Sequence, residues 1–99
     1  MKILLICAGG MSTGLLVKKL QKYSNENNLG LEEIVACGMG EYVGIYKPYD
    51  IILLGPQISF RKADIAKETG KPIDVIAAMD YAMGNVQNIY KQICTVLGK

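Results

Sequence analysis

The chain contains no histidine, a single arginine (Arg61) and three cysteines, Cys7, Cys37 and Cys94, in 99 residues. Without histidine there is no His-based triad, no imidazole general base and no phosphohistidine. Covalent chemistry falls to cysteine, a hydroxyl or a carboxylate. An odd number of widely spaced cysteines argues against a disulfide framework and for reduced thiols inside a cell. Long apolar runs are also missing. None approaches the ~18 residues of a transmembrane helix, and Lys2 followed by ILLI is too short for a secretory signal or a lipoprotein leader. The expectation is a cytoplasmic protein, not itself embedded in a membrane. A formal net charge of +2 with scattered lysines gives no basis for binding nucleic acid or an anionic membrane surface. Carboxylates such as Glu41, Asp50 and Asp80 show no ligand spacing, so no metal or cofactor is expected.

What is present reads as one domain over residues 1–99, half hydrophobic and one fifth charged, the composition of an ordinary globular protein. Four short apolar runs stand out, Lys2–Cys7, Glu32–Cys37, Asp50–Gly55 and Pro72–Ala77. Two are almost continuously aliphatic, as strands buried on both faces are. Between them lie helical patterns. Thr13–Asn28 puts Leu16, Leu20 and Tyr23 on one face, with Lys18, Lys19 and Lys22 on a solvated one, and Gly30 ends it. Gln57–Thr69 is closed by Gly70 and Pro72. In the last helix Val86, Ile89, Tyr90, Ile93, Cys94 and Leu97 follow an i, i+3, i+4, i+7 spacing, which places Cys94 in the core. Gly38–Pro48 is Gly-rich, with room for a short helix around Glu41–Ile45. This alternation predicts an α/β fold, a single-domain open four-stranded parallel sheet with helices on both faces. Ligands of such sheets sit at the carboxyl ends of the strands, near the switch in strand order.

The residues just after the first strand are the most informative. Cys7 closes the strand and Ala8, Gly9, Gly10, Met11 and Ser12 lead into the helix at Thr13. Glycines let a ligand approach the main chain, and Ser12 or Thr13 suits the N-cap. The exposed amides of the loop and the helix dipole favour an anion, and the same field favours a thiolate at Cys7. The pieces fit a thiolate that attacks phosphorus inside a phosphate cradle made by the amides of residues 8–13 with Ser12 and Thr13. The plainer reading of Cys7 is a small buried hydrophobe at a strand end.

Other readings fail on spacing. Gly9-x4-Gly14 mimics a Walker A loop, but Leu15 and Leu16 replace its Lys and Ser/Thr. A low-molecular-weight cysteine phosphatase needs an arginine six residues after its nucleophile, where this chain has Thr13. A dithiol redox site needs a second cysteine at residue 10, which is Gly. Cys37 is followed by Gly-Met-Gly with no cap and no strong helix, which points to core packing. Gly38-x-Gly40-x3-Gly44 has its third glycine one place late for a dinucleotide fingerprint. A cradle without arginine holds a phosphoryl group but gives less help to attack by water. That suits a protein that receives the group and hands it on, although a partner could lend an arginine.

Cys7-Ala-Gly-Gly-Met-Ser-Thr-Gly-Leu-Leu16 closely resembles the phosphocysteine loop of the IIB components of the bacterial phosphoenolpyruvate-dependent sugar phosphotransferase system, lactose/cellobiose type. Asp50-Ile-Ile-Leu-Leu-Gly-Pro-Gln-Ile58 resembles the family's third strand and turn, and Asp80-Tyr-Ala-Met-Gly-Asn85 its segment before the last helix. Gly14 and Ala82 depart from the expected Ser and Gly. The resemblance implies a cytoplasmic carrier whose Cys7 accepts a phosphoryl group from a phosphohistidine of a IIA partner. The group then passes to a sugar, typically a disaccharide, held by the membrane-embedded IIC partner. Gln57 is a candidate for orienting the loop or touching a partner, and Met11, Tyr81 and Met83 for an apolar rim around the cysteine. Two rivals remain at this point, a cysteine phosphatase and a non-catalytic regulatory module of the same fold.

Overall fold

The computed structural model describes residues 1–7 and 13–98, Thr13 by its backbone alone; Ala8, Gly9, Gly10, Met11, Ser12 and Lys99 lie outside the described residues. Four strands, β1 (Lys2–Cys7), β2 (Glu33–Gly38), β3 (Ile51–Leu54) and β4 (Ile73–Val75), form one sheet in the order β2-β1-β3-β4. Every pairing is parallel. The helices are α1 (Thr13–Asn27), α2 (Lys62–Thr69), α3 (Ala78–Met83) and α4 (Val86–Leu97).

Strand position follows from hydrophobic pattern. Ile3–Ile6 of β1 and all of β3 are wholly buried, and these two continuous aliphatic runs are the inner strands. Of the outer strands, β2 has two buried residues among half-buried and exposed ones and β4 is half-buried throughout, because each has one neighbour instead of two. Alternation then divides the core. Ile3 and Leu5 of β1 pack with Leu16 and Leu20 of α1 and Ile89, Tyr90 and Ile93 of α4 on one face. Leu4 and Ile6 pack with Cys37, Tyr42, Tyr49, Ile58 and Ile65 of α2 on the other. The sheet is therefore covered on both sides. Burial of each Leu or Ile in these clusters contributes roughly 1.5–3 kcal/mol.

The local details separate what spacing could reveal from what it could not. Helix α1 ends one residue early, with Asn28 in the left-handed region at φ 52°. There the buried Ser24 Oγ accepts a hydrogen bond from the Leu31 N–H (3.1 Å) and holds the turn into β2. The helix expected over Gln57–Thr69 divides in two. Pro56–Arg61 is a 3-10 turn that leaves helical geometry at Ile58 (φ −119°, ψ 25°), and the α-helix begins at Lys62. Ile58, buried in the α2-side core, is where the chain bends. Gly70 closes α2 in the left-handed region at φ 66°. The Gly38–Pro48 segment holds a 3-10 turn at Tyr42–Gly44, inside the span expected for a short helix. Helix α3 has no counterpart in the sequence reading. It is six residues long with none fully buried, too short to show a helical period.

Cys94 is the one core residue misplaced by spacing. The buried stripe of α4 is Ile89, Tyr90 and Ile93, and Cys94 is exposed. A residue directly after Ile93 is turned about 100° around the helix. Here that rotation carries the thiol past the edge of the stripe into solvent.

Candidate functional site

The order β2-β1-β3-β4 reverses direction between β1 and β3. From β1 the chain runs through α1 to one outer strand, and from β3 through α2 to the other. Because α1 and α2 cover opposite faces, the two connections diverge and leave a crevice at the carboxyl ends of the two inner strands. Cys7 is the last residue of β1, 1% exposed. It pairs in register with Gly38 of β2. Its Sγ donates toward the Cys37 carbonyl oxygen at 3.6 Å.

Across the switch, the Gly55 N–H donates to the Ile6 carbonyl oxygen at 2.9 Å and extends the β1–β3 ladder to the base of the crevice. Gly55 has φ −63° and ψ 149°, angles open to any residue, so it is backbone geometry that needs no glycine. Space does. A Cβ at Gly55 would lie 3.0 Å from Gln57 Oε1, 3.6 Å from Tyr81 Cε2 and 3.8 Å from Cys7 Cβ. Three side chains from β1, the turn after β3, and α3 thus meet within 4 Å of one point that only glycine leaves vacant. Tyr81 also packs its half-buried ring against the α1/α4-side core.

Of the residues singled out in the sequence, Cys7, Gln57 and Tyr81 are brought together. Met83 follows on α3, 65% exposed. Ala8, Gly9, Gly10, Met11 and Ser12 lie outside the described residues, as does the Thr13 side chain. Sequence reading took Gly55 with Pro56 and Gln57 as a turn near the same sheet edge but gave the glycine itself no role in the site. It also passed over Leu15, Val43, Phe60 and Met79, which are exposed. Together with Met83 these follow β1, β2, β3 and β4, so each strand end leads into an exposed apolar side chain. The available signal was a large hydrophobe soon after a strand, where polar residues are usual.

The chain's one arginine is engaged on the α2 face. Arg61 Nη2 lies 3.9 Å from Glu68 Oε1, and the Tyr42 hydroxyl donates to Glu68 Oε2 at 2.7 Å. Burial and the Glu68 carboxylate push the Tyr42 hydroxyl above its ordinary pKa. The neighbouring thiol Cys37 is raised from 9.0 to about 11, by burial first, then by the Glu41 carboxylate, then by Cys7. Glu41 reaches back so that its Oε1 accepts from the Gly38 N–H at 3.3 Å. Among the described residues no helix is long and apolar enough to cross a membrane.

The fold and crevice define a class: small open-sheet α/β proteins with a thiol at the switch point. The comparisons with known proteins narrow it. Residues 2–92 match the family model of the phosphotransferase system lactose/cellobiose-specific IIB subunit. The galactose-specific EIIB component of Lactococcus lactis is 44% identical over 89 residues, 82% of each chain. The oligo-beta-mannoside-specific EIIB component of Bacillus subtilis is 37% identical over 100 residues, covering 97% of this chain and 95% of that one. The solution structure of the cellobiose-specific phosphotransferase IIB component from Borrelia burgdorferi superposes with a TM-score of 0.76 at 30% identity, over 97% of this chain and 90% of that one. This chain belongs to the lactose/cellobiose-specific IIB subunit family of the sugar phosphotransferase system.

Proposed function

We propose that this IIB subunit is a phosphocarrier and that Cys7 is its nucleophile. The observation that carries the reading is the position of Cys7, the terminal residue of an inner strand at the switch point, beside Gly55 and Gln57. In the first transfer the Cys7 thiolate attacks the phosphorus of a phosphohistidine on the IIA partner. The S–P bond forms as the P–N bond breaks, its electron pair goes to the imidazole nitrogen, and the ring, protonated on its other nitrogen, leaves as neutral imidazole. In the second transfer a hydroxyl of a sugar, a disaccharide by family, attacks the same phosphorus while bound to the membrane IIC partner. The O–P bond forms, the S–P pair returns to sulfur as thiolate, and the hydroxyl proton passes to the surroundings.

The amides of residues 8–13, with the Ser12 and Thr13 hydroxyls, hold the phosphoryl oxygens between the two transfers. Arg61 pairs with Glu68 and is not assigned to that cradle. Without a guanidinium clamp, attack by water gains less stabilisation, and the phosphocysteine survives to meet its acceptor. Both transfers take place in the cytoplasm, the second at the inner face of the membrane.

The test is intact-mass spectrometry after incubation with phosphoenolpyruvate, the general phosphotransferase proteins and a panel of IIA partners. One added phosphoryl group on the peptide containing Cys7 is expected. Absence of the adduct with every IIA, together with steady phosphate release from an aryl ester, would overturn the carrier reading in favour of a phosphatase.

A further inference from the structure

We propose that Asp74 and Gln92 close the outer edge of β4 by standing in for a neighbouring strand, and that the strand they keep out is β4 of a second copy of this chain. The inference does not depend on the phosphocarrier reading. It starts from the backbone of the shortest strand of the sheet.

The β3–β4 ladder fixes which groups of β4 face outward. The Ile52 N–H donates to the Pro72 carbonyl at 2.9 Å, and the Ile76 N–H donates to the Leu54 carbonyl at 2.9 Å. Along a strand, successive residues turn their N–H and C=O to opposite sides. Pro72 and Ile76 address β3, as does Asp74 by alternation. Val75 lies between Asp74 and Ile76 and turns both of its backbone groups away from β3. Since β4 ends the order β2-β1-β3-β4, that side is the open edge of the sheet. A free N–H and C=O on such an edge are a template for another chain.

Both groups are nevertheless occupied. The Val75 N–H donates to Asp74 Oδ1 at 2.9 Å, and the Val75 carbonyl accepts from Gln92 Nε2. Gln92 Nε2 also donates to Asp74 Oδ2 at 2.9 Å, and Lys62 Nζ lies 3.3 Å from Asp74 Oδ1. Gln92 belongs to α4 and Lys62 to α2, which cover opposite faces of the sheet. The edge is therefore clasped from both faces. Burial alone would raise the Asp74 carboxyl. The hydrogen bonds from Gln92 and the Val75 N–H, and then Lys62, outweigh it and hold the group below the ordinary carboxylate range. Ionised, its oxygens only accept.

What each group imitates points to what is kept out. The carboxylate oxygen takes the place of a strand carbonyl, and the carboxamide N–H takes the place of a strand N–H. In an antiparallel pair, two residues directly opposite exchange both bonds. A second copy related by a twofold axis would set its own Val75 against this one and make the same exchange. Such a contact needs one surface only, used twice, and every molecule in solution carries it. Lys62 adds a cation that pairing would have to strip of water, as edge lysines do elsewhere.

The test is hydrogen exchange at the Val75 amide by NMR, with sedimentation equilibrium, over a range of protein concentrations. In the wild-type protein the amide is expected to be protected, independently of concentration. Asp74→Ala combined with Gln92→Leu is expected to speed its exchange about tenfold in dilute protein, the loss of one hydrogen bond to a charged group. As concentration rises, the double variant is expected to dimerise more tightly than the wild type, with Val75 regaining protection in the dimer. Asp74→Asn alone keeps an acceptor oxygen but drops the charge, and is expected to associate no more than the wild type. A rapidly exchanging Val75 amide in the wild-type protein overturns the proposal, and that measurement needs no variant to fold. So does a folded double variant that associates no more than the wild type, or one whose dimer leaves Val75 unprotected. Dimerisation of Asp74→Asn to the extent of the double variant also overturns it, since charge and not strand imitation would then keep the copies apart.

Discussion

Cys7 and Cys37 sit one register step apart at the same edge of the sheet, since Cys7 pairs with Gly38 and Ile6 with Cys37. Both are buried thiols, yet their surroundings differ in kind. Cys37 points into the α2-side core among Leu4, Ile6, Tyr42 and Tyr49. It is followed by a three-residue 3-10 turn, and a carboxylate folds back beside it. Burial and Glu41 hold it protonated, with its pKa pushed up to about 11. Cys7 ends an inner strand where the two connections diverge, with a vacant point, a carboxamide and a tyrosine ring at its side. Residue type and strand end are common to both. What differs is topology: only an inner strand at the switch point opens onto a crevice, and β2 is an outer strand.

The largest expected effect tests that contrast directly. Cys7→Ser should abolish phosphoryl acceptance, read as loss of the mass adduct, because a serine hydroxyl is a far weaker nucleophile near neutral pH. Cys37→Ala should keep acceptance within about twofold of wild type while costing on the order of 1 kcal/mol of stability for the small cavity it leaves. Acceptance that survives Cys7→Ser but not Cys37→Ala would reverse the roles assigned to the two strand ends.

Gly55→Ala sharpens the comparison on the crevice side. The new Cβ meets Gln57 Oε1 at 3.0 Å, and Tyr81 and Cys7 only at ordinary contact distances. The crowded atom is the far end of a flexible side chain, and the backbone angles suit alanine. The fold should therefore be kept, with a change in urea midpoint worth less than about 1 kcal/mol. Crowding beside Cys7 should lower the rate of acceptance about tenfold, by shifting the thiol from its attacking position. Stopped-flow or quench measurement of phosphoryl uptake from IIA, alongside the urea curve, separates the two effects. A destabilised protein with normal uptake would make Gly55 a packing residue.

How much of this was legible follows from which links are local. The inner strands announced themselves because β1 and β3 are aliphatic at every central position, and Cys7 with its following residues is a contiguous stretch. The Gly55 gap was not legible, since its significance lies in side chains from β1 and α3 that reach it only when the sheet is assembled. Helix α3 escaped notice because six residues with no fully buried member carry no period. The break at Ile58 was hidden for a similar reason. A buried isoleucine before α2 fits a continuous helix and a kinked one equally well in sequence. The exposed apolar side chains beyond the strand ends, among them Phe60 and Met79, read singly as scattered hydrophobes.

The Cys37 side of the comparison also predicts a pH dependence. A thiol whose folded pKa is raised from 9.0 to about 11 favours the folded state fully below pH 9. That stability is lost as pH climbs through 11. Tyr49, raised from 10.0 to about 12 by burial and then by its hydrogen bond to Glu33, follows about one unit higher. Urea unfolding between pH 8 and pH 11 should show stability falling by about 2 kcal/mol from the thiol. Cys37→Ala should flatten the decline between pH 9 and 11 and leave in place the later one, to which Tyr49 contributes together with the raised hydroxyls of Tyr42 and Tyr90. An equal slope in the variant would mean that Cys37 is not held neutral by the fold.

The smallest expected effect belongs to the third cysteine, and it completes the contrast by exposure. Cys94 lies on the outer side of α4, past the Ile89, Tyr90 and Ile93 stripe. Alanine there fills no less of the core, because the thiol fills none of it, and alanine is the better helix former by a few tenths of a kcal/mol. Cys94→Ala should therefore leave phosphoryl uptake unchanged and shift stability by less than about 0.5 kcal/mol, neutral or slightly upward. A maleimide applied at pH 7 to the folded protein should modify Cys94 and spare Cys37, whose thiolate is scarce at that pH and whose sulfur is enclosed. Peptide mapping reads both sites in one experiment. Modification of Cys37 before Cys94 would place the helical stripe one residue round, with Cys94 inward as its spacing alone suggests, and would undo the assignment of the α2-side core to Cys37.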